Sequence, residues 1–300
     1  MIQTIGTHNG KFHSDDVFSV ALLTTLFPDA KVTRSRDQSV LDTLDLVLDV
    51  GGVYDVSKNR FDHHQVGGAG DRPNGIRYSA FGLIWQAYGL EYCQGNEEAH
   101  KRLFEGFVSS FDAYDNGHNT FEITTVDASV VQLQDIFDKY LNPNSSEPCE
   151  LEDYDRAFAS AVEMAKIILD RVVKRQIAKV KSEQDFFSQW QQSPDKRFVV
   201  LDMHCSAGDM AEKMPELLYY VYQAPNKNWH VQAMTKGKGT FDTKKPLPVG
   251  WAGLKDSELA DYTGVADAIF CHNNLHLCGA GSKEGALKLL ELALEEVHGS

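Results

Sequence analysis

Apolar residues open the chain in a short run over 2–7 that breaks at His8-Asn9-Gly10, the pattern of a strand ending in a turn. Over 15–27 the period changes. Val17, Val20, Ala21 and residues 23–26 supply one apolar face, and Pro28-Asp29 closes it, which predicts a helix. Further strands are predicted over 31–35, over 44–50 (stopped by Gly51-Gly52) and, shorter, over 60–62. Helices are predicted over 79–89 and 97–114. Strands alternating with helices in this way make an α/β fold with a parallel sheet.

A polar, proline-bearing break over 142–148 precedes one long helical stretch over 151–189, in which Phe158, Val162, Ala165, Leu169 and Val172 recur at helical spacing. Its other face carries Arg171, Lys174, Arg175, Lys179 and Lys181 and reads as a solvated face. Strands over 197–201, 217–222, 229–234 and 268–271 and a closing amphipathic helix over 285–297 form a second α/β unit. The predicted organisation is a parallel-sheet domain with its long connecting helix over 1–190, then a smaller α/β domain over 191–300.

Composition narrows the partners. The net charge is −14, which argues against a broad basic face coating duplex DNA but leaves room for one pocket gripping the end of a short strand. Abundant carboxylates suit hard divalent cations. The five cysteines are scattered, without a Cys-x-x-Cys pair, so reduced thiols fit better than a disulfide framework or a zinc site. With no membrane-length apolar run and no signal-peptide pattern at the N-terminus, a cytoplasmic protein is expected. A homo-oligomer is compatible with the sequence.

The residues that carry chemistry sit at predicted strand ends, where open α/β sheets form their ligand crevice. Strand one ends at His8, followed by His13, Asp15 and Asp16; strand three ends at Asp49; strand four ends at Asp62-His63-His64. A later helix ends in Asp112-Ala113-Tyr114-Asp115-Asn116-Gly117. Each residue alone reads more simply as a cap or turn residue. Together they are too many for one tetrahedral ion and suit two ions about 3.5–4 Å apart, as in-line phosphoryl displacement uses. Aspartate and imidazole without thiolate favour Mn²⁺, Mg²⁺ or Fe²⁺. Asp49, at the end of the most apolar strand, is the natural bridge. Asp112 and Asp115 are three apart, so either is a candidate ligand; Asp115, at the helix end, fits better.

Asp62-His63-His64 is the name-giving signature of the DHH phosphoesterase superfamily. The stretches around His8–Asp15, Val47–Asp55, Arg60–Gln65 and Asp112–Gly117 resemble the MYG (melanocyte-proliferating-gene) exonuclease family, as do Leu247–Leu254 and Lys283–Leu287. The resemblance implies a two-domain fold, a divalent-metal site between the domains, usually two Mn²⁺ with Mg²⁺ as the alternative, and 3′–5′ exonuclease activity on RNA or short oligonucleotides. It implies that His8, His13 and Asp49 hold one ion, and that Asp15, Asp49, His63 and an aspartate of the 112–115 segment hold the other. Asp62 would orient an imidazole and His64 would face the scissile phosphate. The chain departs from the family at Ser14-Asp15-Asp16, where Cys-Asp-Glu is usual. It departs from the superfamily at Cys278–Lys283, where a Gly-Gly-His substrate motif is expected; His272 or His276 is the candidate replacement, against the plainer reading of loop histidines.

The expected chemistry is hydrolysis by a metal-bound hydroxide, with His64 stabilising phosphoryl charge or protonating the leaving oxygen. Arg72 and Arg77, beside Gly67-Gly68-Ala69-Gly70, are candidate phosphate ligands. Lys238, in the basic stretch Lys236-Gly237-Lys238-Gly239, is another, with Lys244-Lys245 nearby. Asp202, His204 and Cys205 read as structural. Two rival functions remain: a pyrophosphatase-like or small-nucleotide phosphoesterase on the same metal core, which the acidic charge favours slightly, and a non-catalytic metal- or nucleotide-binding regulator.

Overall fold

A computed structural model describes residues 2–118, 121, 130–144, 146, 148–201, 205, 208–237, 239–240 and 242–296, with the side chains of 208 and 209 left aside. It divides into two compact units, Met1–Ile177 and Ala178–Ser300.

The first unit is built on β1 (Thr4–Thr7), β2 (Lys31–Arg34), β3 (Leu46–Leu48), β4 (Tyr54–Asp55) and β5 (Arg60–Phe61), in the order β2-β1-β3-β5-β4. β1, β2, β3 and β5 run parallel. The edge strand β4, which the sequence pattern did not signal, runs antiparallel to β5. The apolar strand over 46–48 is indeed the middle one, and all three of its residues are buried.

α1 (Ser14–Leu26) follows β1 and is buried from Ser14 to Leu23, not along one face alone. Its Phe18 packs against Phe111 and Phe137, with ring centroids 4.6 and 5.0 Å away. After the short α2 (Gln38–Leu41) come α3 (Ala80–Tyr92), α4 (Glu97–Leu103) and α5 (Ser109–Asp115). The helix expected over 97–114 is continuous in sequence but interrupted: residues Phe104–Val108 form a π-helical turn between α4 and α5. A second π-helical turn, Ile136–Tyr140, follows the one-turn α6 (Leu133–Asp135). α7 (Leu151–Gln192) is the long helix, and the division between the units falls within it.

The second unit carries β6 (Phe198–Leu201), β7 (Tyr219–Gln223), β8 (Trp229–Ala233), β9 (Ala268–Cys271) and β10 (Leu277–Ala280), in the order β6-β7-β8-β10-β9. Only β6 and β7 are parallel; the other pairings are antiparallel. α8 (Asp256–Thr263) precedes β9, and α9 (Lys283–Glu295) closes the unit, burying Ala286, Leu289, Leu290 and Ala293 in its core. Part of the family-like stretch Leu247–Leu254 is buried. Leu247 and Trp251 are core residues, and Gly250 lies where an added Cβ would fall 1.9 Å from the Tyr262 hydroxyl. Among the described residues no helix is long and apolar enough to cross a membrane.

Candidate metal centre

The buried strand β3 delivers Asp49 to the sheet edge. Asp49 turns the chain there with φ +57°, a left-handed conformation that non-glycine residues seldom adopt. Such strain costs about 1–3 kcal/mol and gathers at functional sites. The turn directs the two carboxylate oxygens of Asp49 to imidazoles from separate elements. Oδ1 lies 3.1 Å from Nε2 of His63, and Oδ2 lies 3.2 Å from Nε2 of His8.

Among the described residues three overlapping groups of atoms able to hold a cation form around Asp49: His8-His13-Asp49, Asp49-His63-His64 and Asp15-His63-Asp115, each with its atoms within 4.8 Å of one another. His8 enters from the end of β1, His13 and Asp15 from the start of α1, His63 and His64 from beyond β5, and Asp115 from the end of α5. His63 Nε2 is 3.6 Å from Asp115 Oδ2 and 3.8 Å from Asp15 Oδ2.

The residues fit a divalent cation on physical grounds. An octahedral ion with ligands at about 2.1 Å sets neighbouring ligand atoms about 3 Å apart, close to the imidazole–carboxylate spacings at Asp49. Oδ1 of Asp15 is buried with no hydrogen-bond partner, a costly state for a carboxylate oxygen. Burial and the charges of Asp49 and Asp115 hold the Asp15 carboxyl well above the usual carboxylate range. Burial likewise raises that of Asp115, with Asp49 adding to it. Asp49 goes the other way: burial opposes its ionisation, but hydrogen bonding to His63 and His8 keeps its carboxyl below the ordinary value. For His8 burial favours the neutral ring, yet bonding to Asp16 and Asp49 lifts it to about 10. A cation bound here would compete with protons for these groups.

Asp62 is bonded to both of the histidines that follow it. Oδ1 of Asp62 accepts the backbone N–H of His63 at 2.8 Å and the Nδ1–H of His64 at 2.8 Å, while Oδ2 accepts the N–H of Gly52 at 2.5 Å. Asp62 therefore ties the triplet to the turn after β3. The bond to Asp62 raises the pKa of His64 despite partial burial, and the ring is 62 % exposed.

Asp112 does not join the cluster. It is fully buried, with Oδ2 accepting Arg72 Nε at 2.5 Å and Oδ1 accepting the N–H and hydroxyl of Ser79 at 3.0 and 2.7 Å. Of the two aspartates, Asp115 is the one that reaches His63. Arg72 is corrected with it: its guanidinium is buried, binds Asp112 and the Phe104 carbonyl, and lies 4.1 Å over the Phe104 ring. A guanidinium so buried is not presented to a substrate phosphate. Arg77 is exposed in the same loop. Lys238 lies outside the described residues, as do Asp202 and His204. Lys244 and Lys245 spend their ammonium groups on the carbonyls of Met214 (2.6 Å) and Leu294 (3.0 Å). His272 is exposed on the β9–β10 turn, where its Nδ1 accepts the N–H of Asn274 at 3.1 Å and its ring lies 4.3 Å from that of His276.

The sequence assigns no role to two contributors, Asp16 although it lies in the predicted cluster and Arg36 because it has no local pattern. Asp16 accepts the N–H of His13 at 3.1 Å and lies 3.1 Å from His8 Nε2, which orients both histidines. Arg36, in the loop after β2, lines a cavity of about 340 Å³ together with His8, His13, Asp49, Asp62 and His64, and is the only arginine or lysine among the described residues that do so.

Known proteins bear on this arrangement. A family model described as an uncharacterised protein family (UPF0160), named for the MYG1 exonucleases, matches residues 4–294. A MYG1 protein of Caenorhabditis elegans is 29% identical over 98% of this chain and 96% of its own length. A human protein named MYG1 exonuclease is also 29% identical, over 97% of this chain and 86% of its own length. Among solved structures, the exonuclease RecJ bound to manganese aligns over 98% of this chain and 91% of that one. At 12% identity and a TM-score of 0.27 that likeness carries no argument. The family match covers nearly the whole chain and includes every residue of the cluster around Asp49: the chain belongs to the MYG1 family, UPF0160.

Proposed function

We propose that this chain is a divalent-metal-dependent phosphodiester hydrolase, acting as a 3′–5′ exonuclease on RNA or short oligonucleotides. The observation that carries the proposal is the shared position of Asp49, whose two oxygens face the imidazoles of His8 and His63 and which belongs to two of the three ligand groups. The name exonuclease borne by the human relative supports the nuclease reading.

His8, His13 and Asp49 would hold one cation, and Asp15, Asp49, His63 and Asp115 a second, with Mn²⁺ the preferred metal. When bound, the pair would supply Lewis-acid polarisation of the phosphoryl group and lower the pKa of an attacking water. The chain's own groups do the rest. Asp16 holds His8 and the start of α1 in register. Asp62 fixes His64 through Nδ1, which leaves Nε2 of the imidazolium to stabilise a phosphoryl oxygen or to protonate the leaving oxygen. Arg36, on the rim, is placed to grip a substrate phosphate.

The cavity size and the net charge of −14 favour short substrates. They also keep a small-nucleotide phosphoesterase as the second reading. Product analysis with Mn²⁺, Mg²⁺ and a chelator separates the two. Mononucleotides released stepwise from the 3′ end of an oligonucleotide support the exonuclease, and hydrolysis of pyrophosphate or dinucleotides alone supports the alternative. A Mn²⁺-loaded chain inert on all of these contradicts both.

A further inference from the structure

The segment joining β1 to α1 carries His8, His13 and, just beyond it, Asp15. Its backbone is held by side chains at every second residue. Arg34 donates from Nε to the carbonyl of His8 at 3.1 Å and from Nη2 to that of Gly10 at 2.7 Å. Asn142 pairs with both polar groups of Phe12: its Oδ1 accepts the Phe12 N–H at 3.0 Å, and its Nδ2 donates to the Phe12 carbonyl at 2.8 Å. Oδ1 of Asp138 accepts the N–H of Ser14 at 2.6 Å.

Arg34 and Asn142 are themselves anchored, as is Phe12. The Arg34 side chain is 5% exposed, pairs with Asp155 at 2.7 Å and lies 4.3 Å over the Phe158 ring. Asn142 follows the π-helical turn Ile136–Tyr140 and also donates to the carbonyls of Phe137 and Asp138, both at 3.2 Å. The Phe12 side chain is fully buried and meets Phe158 edge-on at 5.6 Å. π-Helical turns are frequent at functional sites, and this one brings Asp138 and Asn142 to a loop more than 120 residues away in sequence. None of Arg34, Asp138 and Asn142 belongs to the three ligand groups.

We propose that Arg34, Asp138 and Asn142 are positioning residues that set the His8–Asp15 segment in its cation-binding geometry. The proposal rests on the metal-site reading given above. Loop backbone without a strand partner must find its hydrogen bonds elsewhere, and here the partners that satisfy it also fix where the two histidines emerge. Losing groups that orient metal ligands typically weakens metal affinity about 10–100-fold.

The test is isothermal titration of Mn²⁺ into the wild-type chain and into Asn142→Ala, Asp138→Ala and Asp138→Asn, with the unfolding temperature of each metal-free protein measured alongside. The expected result is a loss of about 10–100-fold in Mn²⁺ affinity for Asn142→Ala and Asp138→Ala. The kcat of both should recover at saturating Mn²⁺. Asp138→Asn keeps an oxygen for the Ser14 N–H and should bind like the wild type. If Asn142→Ala fails to fold, the Asp138 pair carries the same comparison. Folded Ala variants that bind Mn²⁺ as tightly as the wild type overturn the brace alone. A wild-type chain that binds no Mn²⁺ overturns the metal site and the brace with it.

Discussion

Nε2 of His63 lies 3.1 Å from Oδ1 of Asp49, across the ends of the neighbouring parallel strands β3 and β5. The backbone makes this meeting reproducible: the N–H of Asp49 donates to the carbonyl of Phe61 at 3.2 Å, so the two residues leave the sheet in fixed register. A carboxylate and an imidazole delivered side by side at a sheet edge form a ready cation site, and the remaining groups gather around them.

His64 is expected to act on substrate and not to be needed for the metals. His64→Ala should bind Mn²⁺ with near wild-type affinity while kcat falls by about 10²–10⁴, the usual worth of a general acid or base. Titration calorimetry beside steady-state kinetics checks this. Loss of metal instead of rate would exchange the roles of His63 and His64.

Arg36→Ala should raise KM by about 10–100-fold, in keeping with one charge-assisted hydrogen bond of about 1.5–3 kcal/mol, and leave Mn²⁺ affinity unchanged. An unaltered KM on oligonucleotides would remove Arg36 from the substrate path.

Arg72→Met should act on stability and not on KM. Truncating one partner of a buried ion pair costs about 3–5 kcal/mol because the other charge stays buried, here Asp112. Denaturant unfolding of the metal-free protein measures the loss. A stable variant with a raised KM would return Arg72 to the substrate.

The sequence made the sheet edge legible because apolar runs end abruptly there, at His8, at Asp49 before Gly51-Gly52, and at Asp62-His63-His64. It could not separate Asp112 from Asp115, because the choice depends on packing across helices. Gly82 of α3 leaves room for the Asp112 carboxylate, whose Oδ1 would lie 2.4 Å from an added Cβ, and Arg72 and Ser79 then hold it. The burial of Ser14, Asp15, Asp16 and Ser19 on α1 was hidden for a similar reason. Polar residues predict an exposed face unless a site is there to use them. β4 spans two residues, and β10 is Leu277-Cys278-Gly279-Ala280, without the β-branched or aromatic residues that mark a strand. Arg36 and Asn142 have no local pattern at all; only the fold brings them to the ligands.

Metal binding should depend on pH with a definite sign. The His8 ring titrates near 6.5 when unfolded and near 10 in the metal-free fold. Its contribution to stability is therefore complete below about pH 6.5 and fades as pH rises towards 10. The raised carboxyl of Asp15 works in the same direction, since its proton too is lost as pH rises. A cation displaces these protons, so the rise in unfolding temperature on adding Mn²⁺ should be larger at about pH 8 than at about pH 6. Differential scanning calorimetry at the two pH values checks it; a larger rise at the lower pH would contradict this proton competition.

The most direct test of the central claim is the Mn²⁺ stoichiometry and activity of Asp49→Asn, whose side chain keeps its size but loses the charge that two cations would share. The account predicts a wild-type chain that binds two Mn²⁺ and hydrolyses oligonucleotides, and a folded Asp49→Asn variant that loses Mn²⁺ binding and turnover together. An Asp49→Asn variant with both ions bound and full activity would contradict it.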